Sequence, residues 1–167
     1  MTTPTHGPSA QALGRLEALM PRLGLSYAGP VPVRMVGTGF GVAWDAGRFV
    51  TVSVGSGNEH FAHITTGALA DVSRDQRAGL LEQCNTWNGN LAAYPVFLHD
   101  ADVGWDVIVQ TSYPLPLLEQ NPDFFAFMLS GLPDIADRVR GEFAAFGGRP
   151  YQWGDDDLER LLTRSLI

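Results

Sequence analysis

The 167-residue sequence contains no lysine. Its positive charge rests on 11 arginines scattered against 18 acidic residues, for a net charge of −7. A polybasic membrane anchor is therefore excluded. Nucleic-acid binding is disfavoured, because an acidic surface without a basic patch repels phosphate. Cysteine is nearly absent. The single Cys84 can form no intramolecular disulfide, and a cysteine-rich metal site is ruled out. No apolar run approaches the roughly 18 residues of a membrane span. Residues 1–11, rich in Thr, Pro, Gly and Ser, lack the apolar centre of a secretory leader. These absences together lead to the expectation of a cytoplasmic protein.

Hydrophobic residues make up 45% of the chain and charged residues 17%. A chain of this length and apolar content can bury a full core as one domain. Residues 1–8 are expected to be disordered. Ser9 reads as an N-cap, followed by Leu13, Leu16, Leu19 and Met20 at helical spacing. Pro21 and Gly24 stop that helix. Gly29-Pro30-Val31-Pro32 reads as an extended linker. Three strands are expected next, over 34–44, 48–54 and about 60–69, joined by Asp45-Ala46-Gly47 and Gly55-Ser56-Gly57-Asn58. Such short turns make neighbouring strands antiparallel.

Residues 73–98 organise the rest. Ser73-Arg74-Asp75-Gln76 has the pattern of a capping box. The helix that follows would place Arg77, Leu80, Leu81, Cys84, Trp87 and Asn88 on one side, with Gly89 as a left-handed terminator. Strands follow at 94–98 and 105–111. Tyr113-Pro114-Leu115-Pro116 ends the sheet. Asn121-Pro122 opens a long helix in which Phe124, Met128, Leu132, Ile135, Val139, Phe143 and Phe146 keep helical phase; because Pro133 lies inside, one helix kinked near Gly131 or two coaxial pieces are expected. Residues 155–166 read as a short final helix. The expected fold class is α+β: an antiparallel sheet of about five strands with helices packed on it, in the order α-βββ-α-ββ-α.

The helix ending Cys84-Asn85-Thr86-Trp87-Asn88, the strand 94–98, an acidic turn, and a second strand running into Tyr113-Pro114-Leu115-Pro116 resemble the bacterial YbjN-like family. The resemblance covers roughly residues 34–147 by architecture. It implies a fold like that of the type III secretion chaperones, in a domain spanning residues 9–148 with a helical extension over 149–167. It also implies a non-enzymatic protein, described as a sensory transduction regulator, that binds protein and dimerises. It does not identify a client, because fold does not dictate function.

Candidate sites were weighed against structural roles. Asn85, Trp87 and Asn88 could form a recognition site. The simpler reading makes Trp87 the anchor of the helix on the sheet and gives the amides to the open loop backbone. Cys84 lacks the electropositive setting of a reactive thiol. His60 and His63 point to opposite faces of a strand and cannot share a metal. Asp100, Asp102 and Asp106 lack the terminal Glu of a calcium loop. Gly37-Thr38-Gly39-Phe40-Gly41 lacks the Lys-Ser/Thr of a phosphate loop and reads as a bent or bulged strand. No cofactor and no metal are expected.

The expected function is a non-catalytic protein-interaction module, either chaperone-like or regulatory. It would bind an unknown protein partner through the open sheet face or the long helix, where Phe124, Phe125, Phe127 and Met128 form the candidate interface. A homodimer is the simplest way to cover that surface. The alternative is a small-molecule sensor or an unrecognised enzyme using an apolar pocket on the sheet.

Overall fold

The structure, a computed structural model, describes residues 8–24, 26–33, 37–45, 48–55, 58–91 and 93–151. The final helix expected over 155–166 and residues 1–7 of the tail expected over 1–8 lie outside them. The fold is α+β, with four helices and an antiparallel sheet. The strands are β1 (Tyr27–Val33), β2 (Gly37–Asp45), β3 (Arg48–Gly55), β4 (Asn58–Val72), β5 (Val96–Asp100), β6 (Trp105–Pro114) and β7 (Arg149–Pro150). The helices are α1 (Ala10–Glu17), α2 (Arg77–Asn90), α3 (Leu115–Gln120) and α4 (Pro122–Phe143). Strand order is β1-β2-β3-β4-β6-β5, with β7 paired to β4.

Among the described residues there are seven strands where about five are expected. The first addition is β1, read from sequence as a linker because of Pro30 and Pro32. Proline cannot donate to a ladder, so it suits a strand paired on one side only. Among the described residues β1 pairs with β2 alone, through a bulge between Ala28 and Val31. The second addition, β7, has two residues, too few to leave a period in the sequence.

The chain divides into two compact units: Met1–Ile64 with Ser112–Leu129 and Trp153–Ile167, and Thr65–Thr111 with Ser130–Gln152. β4, β6 and α4 pass from one to the other.

In the first unit, Ser9 caps α1 as expected. Its hydroxyl accepts from the Ala12 N–H at 3.2 Å. The Ser9 N–H and hydroxyl both donate to the Glu59 carboxylate on β4, at 2.5 and 2.7 Å. These bonds hold Glu59 below the usual carboxylate range. Leu16, Leu19 and Met20 are buried, while Leu13 is half-buried. The core continues through Phe40 and Val42 on β2 and Val50, Val52 and Val54 on β3. The glycines of 37–41 bring β2 close to its neighbour. A Cβ on Gly39 would run into the backbone oxygen of Val52, and one on Gly41 into the ring of Phe49. Against β3 the register of β2 shifts between Ala43 and Asp45, and against β1 the bulge between Ala28 and Val31 faces Gly39 and Gly41.

α3 was not legible, because Pro114 and Pro116 read as a break. Proline in a first helical turn forfeits no internal bond, and Leu115 and Leu118 are buried. The start of α4 buries Phe125, Met128 and Leu129. The observed stripe, Phe125-Leu129-Leu132-Ala136-Val139-Phe143, is shifted by one residue from the expected phase at its beginning. Phe124 instead meets Tyr113 edge-on at 5.1 Å.

In the second unit, Ala68, Leu69, Val72, Leu80, Cys84, Trp87, Val96, Val107, Val109, Ala136, Val139 and Phe143 form one buried cluster. Ser73 does not make the expected capping box. Its side chain makes no cap bond, and a 3₁₀ turn over Arg74–Gln76 leads into α2. Gly89 does not terminate α2, which runs on to Asn90. Leu81, expected on the packed side, is exposed. Gly131 admits the Tyr94 hydroxyl, since a Cβ there would sit 2.6 Å from it.

Candidate functional site

The residues singled out at the end of α2 take three different positions. Trp87 is 3% exposed. Its indole N–H donates to the Tyr94 carbonyl at 3.0 Å, and the Arg138 guanidinium lies 5.1 Å from the ring centre. Asn88 acts on backbone alone. Its amide nitrogen donates to the Val96 carbonyl at 2.9 Å, and its amide oxygen accepts from the Val96 N–H at 2.7 Å. Asn85 is exposed.

The register of the β5–β6 hairpin explains the Asn88 pair. Val96 faces Val109, Leu98 faces Val107, and Asp100 faces Trp105. The Gln110 N–H donates to the Pro95 carbonyl at 3.0 Å. That bond sets the phase: residues 95, 97 and 99 bond to β6, and Val96, Leu98 and Asp100 turn their N–H and C=O groups away from it. Asn88 occupies the outward groups of Val96, as a residue of a neighbouring strand would. The outward groups of Leu98 and Asp100 remain open among the described residues.

The candidate interface separates similarly. Phe125 and Met128 are buried and belong to the core. Phe124 is half-buried against Tyr113. Phe127 is 68% exposed, and Leu117 on α3 is 40% exposed.

Cys84 is buried, and desolvation pushes its thiol up to about 11. That suits a packed thiol, not a nucleophile. His63 lies within 2.7 Å of the Ser112 hydroxyl through Nδ1, and burial lowers its pKa. A serine beside a neutral imidazole is two parts of a hydrolytic triad. Among the described residues no carboxylate bonds the other ring nitrogen. Asp106, grouped in the sequence with Asp100 and Asp102, is buried and accepts from the Asp71 N–H at 3.2 Å. Asp100 binds Arg74 at 2.7 Å. The three carboxylates thus do not converge, and no cluster of His, Cys, Asp or Glu among the described residues could hold a metal.

Sequence reasoning missed an open cleft of about 470 Å³ lined by Gln11, Gly14, Arg15, Ala18, Leu19, Arg22 and Glu119. Arg15 grips Glu119 with two bonds, of 2.8 and 2.6 Å. These bonds, with Arg22 nearby, hold Glu119 below the usual carboxylate range. The pair is separated by 104 residues, so no local pattern could reveal it. Nor could one reveal His63 with Ser112.

No family model matches the chain, and no curated protein matches it. Among solved structures, an uncharacterized protein from Methanothermobacter thermautotrophicus aligns at TM-score 0.54 and 10% identity, covering 81% of this chain and 99% of its own. The two share a fold. YbjN from E. coli, described as a candidate transcription regulator, aligns at TM-score 0.43 and 12% identity, covering 71% of this chain and 89% of its own. No helix among the described residues is long and apolar enough to cross a membrane.

Proposed function

We propose that this protein is a non-catalytic protein-interaction module of the YbjN-like, chaperone-like or regulatory kind. The observation that carries the reading is Phe127, 68% exposed on α4. Leaving a phenylalanine in water forgoes roughly 1.5–3 kcal/mol of burial, which a docked protein would recover. Leu117 is a second exposed apolar side chain of the same unit. The polar side chains that stood out in the sequence support the reading from the other direction. Trp87 and Asn88 spend their hydrogen bonds on backbone, and Cys84 is buried. A photo-cross-linking amino acid at position 127 tests it in the native cell. One discrete protein adduct, absent when the probe sits at exposed Asn85, is expected. Equal, diffuse labelling from both positions would reject Phe127 as a docking point.

The cleft beside Arg15 and Glu119 favours a second reading, a small-molecule sensor. It lies along α1 and α3 and is partly charged, unlike the apolar pocket on the sheet that the sequence suggested. Two guanidinium groups against one carboxylate suit a small anion. Calorimetric titration with phosphate or citrate, alongside Arg22→Ala, separates this reading from the first.

A further inference from the structure

The cleft beside α1 is built on one face of a helical run. Gln11, Gly14, Arg15, Ala18 and Arg22 line it. Their spacings of 3, 1, 3 and 4 keep one face through α1 and the 3₁₀ turn Met20–Leu23. Arg15 and Arg22 stand two turns apart, roughly 10 Å along the axis. Ala18 lies between them and Gly14 beside Arg15, so the floor of the cleft carries almost no side chain. Gly14 serves neither backbone nor packing. It sits inside a helix, and a Cβ there would meet nothing within 4 Å. Glycine weakens a helix interior, and alanine would fit. What the glycine provides is room.

The charges around that space are unequal. Glu119 on α3 holds the Nε and a terminal nitrogen of Arg15, at 2.8 and 2.6 Å. Arg22 is exposed and makes no hydrogen bond or ion pair among the described residues. The Arg15 and Glu119 side chains are 35% and 33% exposed. Water screens a pair in that position, so it is held weakly and yields to a stronger anion.

We propose that the cleft takes a compact tetrahedral dianion, free phosphate or the phosphate of a monoester, and that Glu119 is its built-in competitor. The ligand binds Arg15 and Arg22 together, and the Glu119 carboxylate moves out to solvent. Charge sets the selectivity. With Glu119 in place the two guanidiniums carry one net positive charge, and Arg15 is already occupied. With Glu119 out they carry two, which a dianion balances. A monoanion has no advantage over a carboxylate tethered beside Arg15. A phosphate has twice the charge and enough oxygens to accept from both guanidiniums at once. The space over Gly14 and Ala18 lets it sit between them.

This inference rests on the second reading above, and the two can fail separately. The test is calorimetric titration of the full chain at about pH 8, where a phosphate group is dianionic. Inorganic phosphate should bind at least about tenfold more tightly than acetate. Glu119→Gln, which keeps the shape and removes the competing charge, should tighten phosphate by a further factor of about ten. Glycerol 3-phosphate is the second arm: binding tighter than inorganic phosphate assigns the site to a monoester, and weaker binding to the free ion. Phosphate bound no more tightly by Glu119→Gln than by the unaltered protein would overturn the competitor role and leave an anion site standing. No heat from any of these anions would overturn the second reading as well. Gly14→Leu places a good helix former in open space, so it should fold at least as well and should abolish phosphate binding. Unchanged binding there would overturn the location. The unaltered protein gives a check that needs no variant. At saturating phosphate the side-chain carboxylate carbon of Glu119 should shift in the NMR spectrum, while that of Glu59, held by Ser9, should not. An unmoved Glu119 signal would overturn the displacement.

Discussion

The outermost strands of the two units, β1 and β5, are protected by different means. β1 carries Pro30 and Pro32, two residues with no N–H, and a bulge. Its protection is covalent and survives any change elsewhere. β5 has no proline within it. Its protection is the Asn88 amide, delivered from α2, and that helix is anchored by Trp87. The first strand is closed by its own residues. The second is closed at one position by a helix and, among the described residues, left open at two. An edge controlled by tertiary packing can be opened by loosening that packing, whereas an edge made of proline cannot.

Mutations that loosen the β5 side should have the largest effects. Trp87→Ala removes a buried side chain, the bond to Tyr94 and the anchor of Asn88 together. A loss on the order of 3–5 kcal/mol in urea unfolding is expected. A loss under about 1 kcal/mol would mean that α2 is held by something else. Asn88→Ala leaves the Val96 N–H and C=O without a partner and should cost about 1–3 kcal/mol. It should also lengthen the open edge, so sedimentation at rising concentration should show stronger self-association than in the unaltered protein. Unchanged association would break the contrast between the two edges.

The units should also differ in pH response. Burial holds His63, in the first unit, below its ordinary value of 6.5. Its contribution to stability is present above 6.5 and is lost as pH falls through the depressed folded value. Cys84, in the second unit, is raised from 9.0 to about 11. Its contribution is present below 9.0 and is lost as pH rises towards about 11. Stability should fall more shallowly on the acid side in His63→Gln, which removes the buried titrating ring, and Cys84→Ala should flatten the alkaline side. The smallest effect belongs to β1. Pro32→Thr returns one N–H to a strand whose other proline and bulge remain, so stability should change by no more than about 0.5 kcal/mol and the oligomeric state should not change.

Local chemistry made much of the fold legible. Ser9 caps α1 because its hydroxyl reaches the first free N–H groups whatever lies around it. The alternation Val50-Val52-Val54 marks β3 because a strand sends alternate side chains to one face. Trp87 declared itself because a tryptophan on the apolar side of a helix is usually buried. Legibility failed where proline was ambiguous. The same residue ends a sheet, edges a strand in β1 or starts a helix in α3, and only neighbours decide which. It failed again at Ser73, where a matching pattern of residue types did not produce the capping bond. At the beginning of α4 four apolar residues in five, Phe124, Phe125, Phe127 and Met128, fit more than one helical phase, so the sequence could not say that Phe125 turns inward and Phe127 outward.

By itself the sequence determined the α+β class, the positions of β2 to β6, the helices α1, α2 and α4, and that its one cysteine has no partner within these 167 residues, because these rest on periodicity and composition. The tertiary structure alone decided that Asn88 and Asn85 have opposite fates, that Arg15 meets Glu119, and that β5 keeps two bonding positions open. Arg15 and Glu119 meet across 104 residues of chain, and Asn88 reaches Val96 because the packing of α2 sets the amide within 3 Å of the strand. Hydrogen bonds of that length are set by packing, and no spacing along the chain encodes them.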